Sequence, residues 1–108
     1  RATGMTVMEN LLQANCSIKG VFAHNDEMAL GALEAIAATG KDIKVVGFDA
    51  TDDAVAAVKA GKMLATVTQQ PDQMGKTAVD TAITLAEGET VEKSIPVEVK
   101  LVTKDSAE

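Results

Sequence analysis

The sequence has little of the chemistry on which most enzymes and metal sites depend. Among its 108 residues there is no tryptophan or tyrosine, and there are two phenylalanines, one histidine and a single cysteine, Cys16. One cysteine cannot form an internal disulfide or a thiolate metal cluster, and it does not identify the compartment. No nucleophile and general base of the usual kinds stand out as a pair. We therefore expect no enzyme, no metal site and no cofactor.

An excess of basic residues and long apolar runs are also lacking. Ten basic residues against sixteen acidic ones leave a net charge of -6, which disfavours nucleic acid or an anionic membrane as a partner. No apolar run approaches the roughly 20 residues of a membrane span. No signal peptide is visible, since the chain opens on Arg1 and soon enters a helical pattern. Without an initiator methionine, this opening predicts a piece of a longer protein.

What the sequence does contain is a regular alternation of helical and extended patterns. Apolar periodicity, with glycines at helix ends, predicts a first helix ending near residue 15 and further helices over 26–39, 52–60 and 71–87. Extended patterns cover 18–23, 44–48, 64–68 and 95–102. This alternation predicts an α/β fold with a mostly parallel sheet. The last strand is expected at an edge, because Pro96 cannot donate to a ladder.

Polar side chains follow three of the predicted strands. The first strand runs into Asn25 in "VFAHND", the second into Phe48 and Asp49 in "KVVGFD", and the third into Gln69 in "TVTQQP". In open α/β sheets, ligands bind outside the carboxyl ends of the strands. Carboxylate and amide groups suit a neutral polyhydroxylated ligand, since the first accepts hydrogen bonds and the second both donates and accepts. Phe48 adds a flat apolar face.

Each of these side chains also has a simpler structural interpretation. Asn25 and Asp26 are both favoured N-cap types, so either could serve only to begin the next helix. Asp49 is harder to explain in this way, because Thr51 or Asp52 is better placed to cap the helix that follows it.

The remaining candidates also have ordinary roles. Phe48 taken alone is typical of a core residue, and Gln69 is typical of a solvated loop. His24 is interpreted as a packed or loop imidazole, and Cys16 as an inert thiol.

A phosphorylatable aspartate is a second possibility for the acidic cluster Asp49, Asp52 and Asp53. A receiver domain has a similar size and a wound α/β topology. It would also present an acidic pair and a lysine at the remaining strand ends, where only Asp26 could begin such a set. The sequence therefore disfavours a receiver domain.

Four ordered blocks resemble a known family. They are "VFAHNDEMALGALEAI", "IKVVGFDAT", "AVKAGKMLATVTQQPDQMGKTAV" and "PVEVKLVTKD". Together they resemble the C-terminal part of the periplasmic sugar-binding proteins of bacterial ABC transporters, above all the ribose-binding branch, over nearly the whole chain. Sugar-sensing repressors related to the lactose repressor share this ligand-binding core, also carry "NDEMALGAL" and "VVGFD", and are the alternative. The segment "KAGKMLATVTQQPDQMG" favours the transport branch.

The resemblance implies a mechanism and a set of contacts. Members of this family have two α/β lobes that close on one sugar like a hinged trap. By matching motifs, Asn25, Phe48, Asp49 and Gln69 fall on the family's sugar-contacting positions, and Asp26 is left as a helix-start residue. The aromatic, amide, arginine and acidic contacts of the opposing lobe would lie before Arg1.

The resemblance also implies an organisation and a set of partners. Residues 1–108 would be a single α/β fragment of a two-lobe protein, with 70–98 packing in the first lobe and the chain returning through the hinge near Glu98. The implied partners are a ribose-like monosaccharide, the missing N-terminal part, a membrane permease and, as a further candidate, a chemoreceptor. The implied location is the periplasm, with no cofactor and no nucleic acid.

Overall fold

The computed structural model describes residues 1–107, which form four helices and four strands in alternation. In chain order the elements are α1 (Ala2–Ala14), β1 (Gly20–Phe22), α2 (Asp26–Thr39), β2 (Lys44–Phe48), α3 (Asp52–Lys59), β3 (Ala65–Thr68), α4 (Pro71–Ala86) and β4 (Lys100–Thr103). The sheet order is β1-β2-β3-β4, and the β1–β2 and β2–β3 pairs are both parallel. The predicted α/β fold with a mostly parallel sheet is confirmed.

Local capping signals account for the helix boundaries. α2 begins where the Asn25 side chain accepts a hydrogen bond from the backbone N–H of Met28 at 2.9 Å, and it ends at Gly40 with φ 67°. α3 begins where the Thr51 hydroxyl accepts from the backbone N–H of Ala54 at 3.4 Å. Both helices therefore start at the residue types that favour an N-cap.

The predicted strand over 95–102 is wrong over its first half. β4 covers only Lys100–Thr103. The preceding residues instead run alongside α4, where Ile95, Val97 and Val99 line a groove with that helix. Pro96 has no N–H to donate to a ladder, which disfavours strand pairing here. The alternating apolar residues line the groove beside α4 instead.

The chain divides into two compact units. Unit 1 comprises Arg1–Thr68 together with the end of the chain from Leu101, and unit 2 comprises Gln69–Lys100. Within residues 1–107, no helix is both long enough and apolar enough to cross a membrane. Unit 1 contains a continuous buried core formed by Met8, Leu12, Ala23, Ala29, Ala32, Ala35, Ile36, Ile43, Val45, Ala54, Ala57, Val58 and Met63.

Unit 2 has a different character. It consists of α4 and the extended segment that follows it, and no residue between 69 and 100 is buried. Its apolar side chains are exposed by about half, including Val79, Ile83 and Leu85 on α4. Unit 2 therefore has an amphipathic helix but no core of its own.

Candidate functional site

Three of the four predicted site residues lie at one edge of the sheet in unit 1. β1 and β2 are parallel and adjacent, with Phe22 opposite Val46, so the residues that follow them leave the sheet on the same side. The Ala23 backbone N–H still donates to the carbonyl of Val46 at 2.9 Å. Asn25 follows β1 at this edge. Phe48 ends β2, and Asp49 comes next. We call Asn25, Phe48 and Asp49 the strand-end cluster.

The exposure of this cluster suits ligand contact. Asn25 and Phe48 are half-buried, whereas the Asp49 side chain is exposed. A half-buried aromatic face beside an exposed carboxylate offers apolar contact and a hydrogen-bond acceptor in one place. Both features are used to hold polyhydroxylated molecules.

The two polar atoms of the Asn25 side chain allow two separate roles. Its Oδ1 accepts from the Met28 N–H, so the N-cap interpretation is correct for this oxygen. The amide NH₂ is the part of the side chain that can donate to a ligand hydroxyl. The structural and the ligand-binding interpretations of Asn25 are therefore compatible.

The loop after β2 has an unusual backbone. Asp49 and Ala50 are non-glycine residues with positive φ angles of 117° and 53°. Such conformations cost on the order of 1–3 kcal/mol each and persist only where the surroundings hold them. Here the Asp49 N–H donates to the carbonyl of Val67 at 2.8 Å, and the Ala50 N–H donates to Oγ1 of Thr66 at 3.2 Å. The backbone of β3 and one of its side chains thus hold the loop.

A buried carboxylate completes this support and was missed by the sequence analysis. Asp26 begins α2 as predicted, but its side chain is fully buried and points to other elements. Its Oδ2 accepts from the backbone N–H and the hydroxyl of Thr51 at 2.8 and 3.2 Å. Its Oδ1 accepts from the hydroxyl of Thr66, itself fully buried, at 2.7 Å. A Cβ at Gly47 would overlap this oxygen, so only glycine fits there.

A signal for this role was present in the sequence. One helix N-terminus needs one N-cap residue, yet α2 is preceded and begun by two residues of the capping type, Asn25 and Asp26. Since Asn25 supplies the cap, the Asp26 carboxylate is not used as the cap and is available to a partner elsewhere.

Gln69, the fourth predicted site residue, is the first residue of unit 2 and is exposed. It lies with Gln70 at the end of the groove between α4 and residues 92–99, whose volume is about 520 Å³. The Gln70 side chain donates to the carbonyl of Glu98 at 2.7 Å, which ties the start of α4 to the extended segment.

His24 and Cys16, the other residues with reactive side chains, have ordinary surroundings. The exposed His24 ring lies 6.2 Å from the ring of Phe22 in a tilted arrangement, and Cys16 is an exposed free thiol. Residues 1–107 contain no group of three or more His, Cys, Asp or Glu side chains that could hold a metal ion.

An exposed ion-pair network joins the first residue to two helices. Arg1 contacts Glu27 at 2.7 Å and Asp53 at 2.8 Å, in the first turns of α2 and α3. The hydrogen bond from Arg1 lowers the pKa of the Glu27 carboxyl, and the same hydrogen bond raises the pKa of the Arg1 guanidinium. All three side chains of this network are exposed by more than a third.

Comparison with known proteins identifies the family. The model of the periplasmic binding protein domain matches residues 1–90. The ribose import binding protein of Bacillus subtilis is 55% identical over 104 residues, which are 96% of this chain and 34% of that protein. The chain therefore spans about a third of the length of this curated relative.

Solved structures agree with this assignment. A periplasmic solute-binding protein of an ABC transporter from Actinobacillus succinogenes, with bound D-allose, has a TM-score of 0.86 at 32% identity, covering 96% of this chain and 37% of its own. A solute-binding protein from Bacillus halodurans, with bound myo-inositol, has a TM-score of 0.83 at 44% identity, covering 98% and 37%. With a family model matched over most of its length, and parallel strands ending in a cluster of polar and aromatic side chains, this chain belongs to the periplasmic binding protein family.

Proposed function

We propose that this chain is part of the substrate-binding component of an ABC sugar importer, which binds ribose or a close monosaccharide. The observation that carries the proposal is the strand-end cluster, in which Asn25, Phe48 and Asp49 follow two adjacent parallel strands at one edge of the sheet. Asp49 accepts hydrogen bonds from sugar hydroxyls, Asn25 donates from its amide, and Phe48 packs against the apolar face of the sugar ring. Gln69 contributes a further hydrogen bond.

The named relatives support a sugar as the ligand. The Bacillus subtilis relative is a ribose import binding protein, and the solved structures carry D-allose and myo-inositol. All three are small, neutral and polyhydroxylated, which is the chemistry that suits the strand-end cluster. They also support import over the alternative of a sugar-responsive repressor, and binding over catalysis. On this proposal the protein acts in the periplasm and delivers its sugar to a membrane permease, with a chemoreceptor as a further partner.

The site in this chain is incomplete on this proposal. The matched relative is about three times as long, and the remaining sugar contacts come from the part that this chain lacks. In the intact protein, residues 70–98 pack in the first lobe. The exposed apolar residues of unit 2 support this placement, since an amphipathic helix without a core needs another surface to cover it.

The proposal is tested by calorimetry on two proteins. One is the 108-residue chain alone. The other is a chimera in which this chain replaces the matching third of the Bacillus subtilis ribose import binding protein, and we call this chimera the reconstituted protein. We expect no ribose binding tighter than about millimolar by the chain alone, because on this proposal roughly half of the hydrogen bonds and most of the stacking come from residues outside this chain. The reconstituted protein should bind at least about a hundredfold more tightly.

Two results would contradict the proposal. Micromolar binding of ribose by the chain alone would show that the site is not shared with missing residues. A reconstituted protein that melts cooperatively, yet binds none of ribose, D-allose and myo-inositol, would show that this chain does not form a sugar site. Incubation with ribose, ATP or acetyl phosphate should leave the small molecules and Asp49 unchanged by mass spectrometry, whereas an acyl phosphate on Asp49 would indicate a receiver domain.

A further inference from the structure

The loop that carries Asp49 depends on a carboxylate that lies beneath it. Three consecutive backbone N–H groups, those of residues 49, 50 and 51, each donate to a group outside the loop. The third of these donates directly to Asp26. The Ala50 N–H donates to the hydroxyl oxygen of Thr66, and this hydroxyl in turn donates to Asp26 at 2.7 Å. Asp26 therefore accepts one loop hydrogen bond itself and orients the acceptor of another.

The orientation of the Thr66 hydroxyl follows from its chemistry. A hydroxyl has one proton and two lone pairs, so a proton committed to a carboxylate leaves the lone pairs for the Ala50 N–H. Thr66 is fully buried, so water cannot take the place of either partner. Loss of the carboxylate would free the hydroxyl to rotate and would weaken its hold on Ala50.

We infer that Asp26 is a positioning residue for sugar binding, which holds the Asp49 carboxylate in its binding orientation through Thr66 and Thr51 without touching the ligand. This inference rests on the proposed function. Because Ala50 has a positive φ angle, a loop released from its hydrogen bonds at Ala50 and Thr51 would relax toward negative φ there and turn the neighbouring Asp49 side chain away. Asp26 thus affects sugar affinity by fixing the conformation of the loop that carries Asp49.

The first experiment measures the loop in the 108-residue chain, without any sugar. Amide hydrogen exchange and the HN–Hα couplings at Asp49 and Ala50 are followed by NMR in Asp26→Asn and Thr66→Val. In Thr66→Val we expect exchange at Ala50 to become at least about tenfold faster relative to the amides of α1, because its acceptor is lost. In Asp26→Asn we expect the same at Thr51 or Ala50, because the amide offers one acceptor oxygen where the carboxylate offered two. Thr66→Ser should restore protection, since it keeps the hydroxyl. Ile36→Val, in the core of α2, is the matched control and should leave the loop unchanged.

The second experiment measures ribose affinity in the reconstituted protein with a double-mutant cycle. In the parent background, Asp26→Asn should weaken ribose binding by roughly tenfold. In the Asp49→Ala background, the same substitution should weaken binding by less than about twofold. A carboxylate that acts through Asp49 has nothing left to position in that background. Ile36→Val should leave affinity within about twofold of the parent.

The outcomes separate a positioning role from a merely stabilising one. Equal fold-losses in the two backgrounds, or unchanged couplings at Asp49 and Ala50, would overturn the inference. A folded parent that binds no sugar would contradict the proposed function and remove the binding half of the inference, while the exchange data would still decide whether Asp26 holds the loop. The inference is supported if Asp26→Asn lowers affinity tenfold in the parent but not in the Asp49→Ala background, and if the same variant changes the exchange and couplings of the loop.

Discussion

The two units of this chain differ in what holds them together. Among residues 1–107, every buried hydrophobic residue belongs to unit 1, where three helices and a mostly parallel sheet share one continuous core. Unit 2 is as regular in its helix, since α4 runs for 16 residues, but no residue in it is buried. A regular helix therefore does not show that a segment has a hydrophobic core of its own. Unit 1 has the buried apolar surface that stabilises its helices, whereas unit 2 exposes the apolar face of its helix.

The largest expected effect tests this difference through stability. Met63 in unit 1 is 2% exposed, and Ile83 in unit 2 is 53% exposed. Met63→Ala should lower the free energy of unfolding by about 2–5 kcal/mol, because it removes buried surface and leaves a cavity. Ile83→Ala should change it by no more than about 0.5 kcal/mol. Urea unfolding of the 108-residue chain measures both, and an equal loss in the two variants would show that unit 2 also contributes to the core.

The next effect compares the units through ligand binding in the reconstituted protein. Asp49→Ala in unit 1 should weaken ribose binding by at least about 100-fold, because hydrogen bonds to a charged acceptor contribute about 1.5–3 kcal/mol each. Calorimetry measures the change. His24→Ala is the control and should remain within a few-fold of the parent. Loss of binding in the control, with binding retained in Asp49→Ala, would contradict the strand-end assignment.

Smaller effects are expected for the two amide side chains. Asn25→Ala and Gln69→Ala should each cost roughly 1–2 kcal/mol of binding, or about 5-fold to 30-fold in affinity. Asn25→Ala should also lower the melting temperature, because it removes the N-cap of α2, whereas Gln69→Ala should not. Cys16→Ser is the control for both measurements. A falling melting temperature in Gln69→Ala, with none in Asn25→Ala, would reverse the roles given to these residues.

The smallest effect concerns the ion pairs of unit 1. The Arg1 hydrogen bond lowers the pKa of the Glu27 carboxyl in the folded chain, so this group stabilises the fold above its unfolded pKa. That contribution is lost as the pH falls through the lowered folded pKa. Glu27→Gln should therefore slightly lower the melting temperature at neutral pH, and the difference from the parent should disappear in acid. Alanine at Glu9, on the exposed surface of α1, is the control. A difference that grows as the pH falls would contradict this sign.

Most of the fold was predictable because its signals are local. The start of α2 follows from a capping side chain that bonds three residues ahead, and its end follows from a glycine with positive φ. β2 was predicted at its observed bounds, because a short apolar run between turn residues admits few alternatives. The strand predicted over 95–99 was wrong because an alternating apolar pattern fits two structures. The same apolar residues can face a sheet or a helix.

The position of the candidate site was predictable from the sequence, but the hydrogen bonds that hold its loop were not. Parallel strands bring the residues that follow them to one edge, so Asn25, Phe48 and Asp49 could be grouped from the strand pattern and the family resemblance alone. Their roles in binding remain predictions. The connection from Asp26 to Thr66 spans 40 residues, and no periodicity links such positions.

The sequence by itself determined the order of the helices and strands and a mostly parallel sheet, with the last strand wrong over its first half, because capping, helix termination and apolar periodicity act over a few neighbouring residues. Only the tertiary structure decided that Asp26 is a buried acceptor for Thr51 and Thr66, and that residues 49 and 50 adopt positive φ angles. It also decided that residues 69–100 form a unit without a core. These outcomes depend on which distant groups meet once the chain is folded, and burial then makes each unpaired polar group too costly to leave without a partner.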